Sequence, residues 1–198
     1  MFQISELLSP GGAGLAPMAG VTDAAMRLLC HEQGAAWAVS EMLSAKGWIF
    51  SKGRNPNAVE LLTRLPGEGV AGLQLFGSEP EYMAAAAREL EERGFQFIDI
   101  NFGCPAPKIT GNGEGSAMLN RPDAVAAVVR ATAKATRLPV TVKIRSGWDE
   151  AHVNAPEIAR ICEDNGAQAV AVHARTRTQQ YSGRADWRVI EEIGRAHV

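Results

Sequence analysis

Short, almost continuously apolar runs alternate along the chain with longer stretches whose apolar residues recur at helical spacing. The runs cover residues 14–18, 37–39, 70–76, 97–101, 140–144 and 169–173. Thr22-Asp23 is a capping pair that opens a helix over AAMRLLCHEQ, which stops at Gly34. Ser78-Glu79-Pro80 opens a second helix that runs to 93 and stops at Gly94. Further helices are predicted over 122–136, over 155–165 before Gly166, and from Trp187 onward as an incomplete one. The polar, Gly/Pro-rich segment 52–69 reads as loop with a short helical piece over 58–64, and 102–116 as one long glycine-rich loop.

A strand that is apolar at successive positions is buried on both faces, which is the mark of a parallel sheet covered by helices. Six strand-then-helix units therefore predict an α/β fold, either doubly wound or a (β/α)₈ barrel. The glycine fingerprint of a dinucleotide-binding turn is missing: Gly111-Asn112-Gly113-Glu114-Gly115 has the wrong spacing and lies inside a loop. A barrel gathers its working groups at the C-terminal ends of its strands. The six ends here carry Pro17-Met18, Glu41, Gln74, Asn101 with Cys104, Lys143 with Arg145, and His173 with Arg175. Hydrogen-bonding or reactive side chains at every end predict a shared mouth, and the expected architecture is an incomplete TIM barrel with about six β/α units.

Composition narrows the chemistry. The 198 residues carry 20 Lys+Arg against 22 Asp+Glu, a net charge of −2, and are 46% hydrophobic. That balance excludes disorder and excludes nucleic-acid binding by bulk positive charge, so any such contact must come from a local patch. No apolar run reaches the roughly 18 residues needed to cross a bilayer, and no secretory signal pattern opens the chain, so no membrane association and a cytoplasmic location are expected. Cys30, Cys104 and Cys162 are too few and too widely spaced for a disulfide framework. No metal site is expected, because Glu32, Glu41 and Asp99 do not cluster with histidine at ligand spacing. His31, His152 and His197 are given no role.

The most informative segment is Asp99-Ile100-Asn101-Phe102-Gly103-Cys104-Pro105. Asn101 offers both a carbonyl and an amide to a planar heterocycle, and Cys104 follows on a loop whose Gly and Pro fix its path. Cys30 and Cys162 sit inside helical patterns and read as small hydrophobes. Lys143 stands in the apolar run Val140-Thr141-Val142-Lys143-Ile144, where a surface lysine is out of place.

Taken together, LAPMAGVTDAAMR, LQLFG, DINFGCPAPKITGNGEGSAML, VTVKIRSGW and VHARTRTQQYSGRADW closely resemble the tRNA-dihydrouridine synthases, flavin enzymes that reduce specific uridines in tRNA. The resemblance spans nearly the whole chain. It implies FMN as cofactor, NADPH as electron donor and tRNA as partner. It further implies that Pro17, Met18 and Ala19 line the isoalloxazine, that Gln74 bonds its pyrimidine edge, and that Lys143 and His173 lie close to the flavin. A fixed ammonium would stabilise reduced, anionic flavin. By the same resemblance Cys104 is the general acid that protonates C5 of uracil while hydride arrives at C6, and Asn101 orients the base. A thiol, with an ordinary pKa of about 8.5, is mostly protonated at neutral pH and suits the duty.

The base must be flipped out of folded RNA, and that cost has to be offset by backbone contacts. Arg145, Arg175, Arg177 and Arg184 are the expected providers, unless Arg177 or Arg184 pairs with Asp186. Tyr181 could stack on RNA, whereas Trp187 is expected to pack beneath the loop. The resemblance implies a longer chain with two more β/α units and a C-terminal helical tRNA-binding domain. On that reading residues 1–192 are a truncated FMN-binding catalytic domain of marginal stability, and 193–198, which break the helical pattern begun at Trp187, are a non-native tail. The competing readings are an FMN barrel acting on a free pyrimidine, as in dihydroorotate oxidation, and an inactive fragment.

Overall fold

The computed structural model describes residues 3–5 and 12–195. Parallel strands form one curled sheet, a half-barrel in the order β1 (Gly14–Leu15), β2 (Trp37–Val39), β4 (Ala71–Phe76), β5 (Phe97–Phe102), β6 (Val140–Arg145) and β7 (Ala169–His173). A two-residue strand, β3 (Leu43–Ser44), pairs with the upper end of β4, while β2 pairs with its lower end. β2 and β3 are thus one strand interrupted at 40–42. At the interruption the Ser40 hydroxyl accepts from the Gln74 amide at 3.0 Å, doing the work of a ladder carbonyl. The α/β half-barrel expected from the alternating runs is the fold observed.

Alternation along the strands separates two environments. Leu73, Leu75, Ile98, Ile100, Phe102, Val142 and Ile144 point outward into the main core, against the helices. The helices are α1 (Ala24–Glu32), α2 (Ala45–Ser51), α3 (Pro56–Leu61), α4 (Pro80–Leu90), α5 (Pro107–Thr110), α6 (Pro122–Ala135), α7 (Ala155–Asp164) and α8 (Trp187–Arg195), all but α1 and α5 contributing to that core. The intervening residues point inward. Phe97 and Val39 pack at the lower end, where Gly72 is required because a Cβ there would overlap the Phe97 ring. Above them sit Gln74, Asp99, Thr141, Asn101 and Lys143, a polar stack in a position where a plain core would be apolar.

Several expectations shift. The first run forms a ladder only at Gly14–Leu15, since Pro17 has no amide to donate, and the rest becomes loop. Helix α2 falls where no element was expected; Ser44 caps it by accepting from the Gly47 amide at 3.1 Å. The loop expected over 102–116 contains α5 and leads into a 3-10 turn, Gly115–Asn120. The break expected at residue 193 is corrected: α8 continues through Arg195, while Ala196, His197 and Val198 lie outside the described residues. Trp187 is 74% exposed rather than packed, because it begins α8 on the solvent side. Cys30 is only half-buried, whereas Cys162 is buried and its thiol is pushed up to about 12 by desolvation. Among the described residues no helix is long and apolar enough to cross a membrane.

Candidate active site

Every long strand ends at the same place. A cavity of about 540 Å³ opens at the C-terminal face and is lined by Pro17, Met18 and Ala19 after β1, Gln74 from β4, Asn101 and Cys104 from β5 and its loop, Lys143 and Arg145 from β6, and His173 from β7. These are nine of the twelve residues to which the sequence assigned a role at the site; Arg175, Arg177 and Arg184 do not line it. Lining residues not singled out include Val21, Met42, Pro107 and Gln180, while Tyr181, weighed as a base-stacking residue, sits at the entrance 76% exposed.

The β5 loop is held at both ends of Cys104. Its amide donates to Asn101 Oδ1 at 2.9 Å, and its carbonyl oxygen accepts from the Ser116 amide at 3.0 Å and the Ser116 hydroxyl at 2.9 Å. Gly115 takes a positive φ of 58° immediately beside it, where a Cβ would strike that same carbonyl. Asn101 Oδ1 also accepts from the Gly103 amide at 3.1 Å, so one side-chain oxygen organises the turn that presents the thiol.

Beneath the thiol the polar stack is continuous. Asn101 Nδ2 donates to Gln74 Oε1 at 2.8 Å, Gln74 Nε2 donates to Asp99 Oδ2 at 2.7 Å, and Thr141 Oγ1 bonds Asp99 Oδ1 at 2.5 Å. Burial pushes the Asp99 carboxyl up, and the bonds from Thr141 and Gln74 oppose that. Lys143 lies beside this stack in register with Asn101. Burial pushes its ammonium down while the Asp99 carboxylate opposes the shift. Among the described residues it has no hydrogen-bonded or ion-paired partner, and it lines the cavity.

Arg145 is 2% exposed, and its guanidinium donates to the carbonyls of Gly103, Thr176 and Gln180 at 2.9, 2.9 and 2.8 Å. It therefore ties the β5 loop to the β7 loop and is not a surface cation. Arg175 is spent in the same way on Ser182 and Gly183, at 3.2 and 3.1 Å, and its Nη1 lies 3.1 Å from His173 Nε2. Because arginine only donates, Nε2 must accept, and the neutral His173 ring carries its proton on Nδ1. Desolvation first, then Arg145, Lys143 and Arg175, lower the His173 pKa to about 4. The depressed value means that His173 penalises the fold as the pH drops from about 6.5 toward 4 and adds nothing above that range. An NMR titration of the His173 ring should give a midpoint near 4; a midpoint at the ordinary histidine value would contradict the burial of the ring beside these cations. Arg177 stacks on Trp148 at 4.7 Å. The alternative, a pairing of Asp186 with Arg177 or Arg184, does not occur, because Asp186 pairs with Arg188 at 2.8 Å.

The arrangement suits a flat heteroaromatic ring. It has an apolar wall at Pro17-Met18-Ala19, an ammonium without a hydrogen-bonded partner among the described residues, a neutral imidazole and a thiol. Among the described residues no group of three or more His, Cys, Asp or Glu side chains is gathered to hold a metal ion.

The family profile described as Dihydrouridine synthase (Dus) matches residues 14–197. The chain is 45% identical over 181 residues to "tRNA-dihydrouridine synthase B" of Shewanella oneidensis, covering 90% of this chain and 55% of the relative. It is 46% identical over 182 residues to the protein of that name from Xanthomonas campestris, covering 90% of this chain and 53% of the relative. A "Probable tRNA-dihydrouridine synthase" of Rickettsia bellii is 40% identical over 196 residues, 99% of this chain and 60% of that protein. The chain thus spans a little over half the length of these relatives. With the profile running from the first strand to the last helix, the chain belongs to the dihydrouridine synthase family.

Proposed function

We propose that this chain forms the catalytic half of an enzyme that reduces uridines in tRNA to 5,6-dihydrouridine, with FMN as cofactor and NADPH as electron donor. The observation that carries the reading is the convergence of the strand ends on one cavity that Cys104, Lys143 and His173 line together. Pro17, Met18 and Ala19 would lie against a flavin ring, and Lys143 would face its polar edge. Gln74 has one amide hydrogen left after its bond to Asp99, which suits a pyrimidine carbonyl. When bound, FMN supplies the hydride that goes to C6 of uracil.

The chain's own residues do the rest. Cys104 holds a proton on Sγ for C5, so hydride and proton together saturate the 5,6 double bond and the thiolate regains a proton from water. Asn101 keeps one N–H for the base, its remaining capacity being spent on Gln74 and the Cys104 loop. Arg145 and Arg175 hold the loops that frame the mouth, a role other than the direct backbone contact expected for them.

Contact with RNA then falls to the exposed part of the β7 loop. Arg184 is exposed and without a partner among the described residues, and Trp187 and Tyr181 expose their rings nearby in the chain. Reversing its charge, Arg184→Glu, should weaken tRNA binding about tenfold and reduce the salt slope of log K by about one. An unchanged slope would remove Arg184 from the interface. The function as a whole is tested by expressing the gene in a strain that lacks dihydrouridine and measuring the nucleoside in its tRNA; restoration supports the reading, and none from a folded, flavin-containing protein overturns it.

A further inference from the structure

Asp99 does not line the cavity above it, yet it stands at the foot of the hydrogen bonds that run through Gln74 and Asn101 up to the Cys104 loop. A carboxylate only accepts. Gln74 must therefore turn its amide nitrogen toward Asp99 (2.7 Å), which leaves Oε1 toward Asn101. Asn101 must then offer nitrogen to Gln74 (2.8 Å), which leaves Oδ1 for the amides of Gly103 and Cys104 at 3.1 and 2.9 Å. Turning either amide over would set donor against donor at one joint and acceptor against acceptor at the next. Asp99, Gln74 and Asn101 are all at least nine-tenths buried, so water does not stand in for a lost partner.

We propose that Asp99 is a positioning residue: its carboxylate sets the direction of the Gln74–Asn101 relay and so fixes the turn that presents Cys104. This rests on the reading of Cys104 as the proton donor for its functional meaning, though not for its geometry. Lys143, in register with Asn101, adds a positive field that favours the ionised acid.

Asparagine in place of Asp99 has nearly the same shape but one donor end, so it permits both directions of the relay. In Asp99→Asn, hydrogen exchange at the Gly103 and Cys104 amides should speed up roughly tenfold or more, while Ile98 and Ile100 on the same strand keep their protection. The double variant Asp99→Asn/Gln74→Glu moves the carboxylate one joint along. The introduced asparagine then donates to the introduced glutamate, whose carboxylate in turn accepts from Asn101, and protection at Cys104 should return. Thr141→Val removes a donor to Asp99 without touching the relay's direction, and should leave Cys104 protected.

Exchange is measured on the chain without flavin or RNA, so the result is independent of whether uridine is the substrate. The proposal is overturned if Asp99→Asn leaves the Cys104 amide as protected as in the parent, or if Thr141→Val loosens it equally. Should the single variant fail to fold, the double variant decides alone: protection at Cys104 supports the relay, and its loss overturns it.

Discussion

Replacing Cys104 by Ala should slow uridine reduction by about 10²–10⁴-fold, the range in which a positioned general acid contributes. Reduction of the flavin by NADPH should stay as fast as in the parent. The split follows from where the residue sits. Cys104 lines the same cavity as Lys143 and His173, from the β5 loop, and its backbone is pinned by Asn101 and Ser116 rather than by its own side chain. Losing the sulfur therefore removes a proton source and leaves the turn standing. Stopped-flow absorbance separates the two half-reactions: flavin bleaching by NADPH, then its recovery on adding tRNA. Equal recovery rates in the variant would take the acid role from Cys104, and loss of both halves would mean that the thiol supports the flavin site instead.

The second large effect is expected at Arg145. Three carbonyls from two loops lie on one guanidinium that is 2% exposed. Arg145→Ala leaves those acceptors without their charged donor, which costs about 3 kcal/mol even after allowance for water entering the gap. Urea unfolding should show that loss, and the β7 loop should lose exchange protection well before the sheet does. Lysine keeps the charge but replaces a planar fork with a point donor, so Arg145→Lys should recover only part of the stability. If alanine costs less than about 0.5 kcal/mol, a surface effect, the arginine does not tie the loops together.

Much of the fold could be read from the runs themselves. Val140-Thr141-Val142-Lys143-Ile144 is built on three β-branched hydrocarbons yet carries a lysine, and the structure puts that lysine on the inner face while Val142 and Ile144 face the helices. The strand-end argument placed eight of the cavity's residues because a parallel sheet leaves its C-terminal ends no choice but to share a face, while Glu41 and Arg175 from the same list do not line it. What escaped was whatever depended on partners far away in sequence. Asp99 read as a plain member of a motif, since its bonds to Gln74 and Thr141 span 25 and 42 residues. Arg145 and Arg175 read as RNA-facing cations because composition reveals charge but not the carbonyls that a folded-back loop brings to it. Helix α2 was missed for a local reason: AKGWIFS carries a central glycine and an exposed Phe50, and so lacks a clean amphipathic stripe.

Everything turns on the thiol and the flavin sharing one mouth, and the rate at which iodoacetamide labels Cys104, read by peptide mass spectrometry with and without bound FMN, tests that most directly. On the proposed function bound flavin would fill the cavity that Cys104 lines, so labelling there should slow several-fold while Cys30, on α1 outside the cavity, is labelled at the same rate in both. Unchanged labelling of Cys104 in protein that holds FMN would put the cofactor somewhere else.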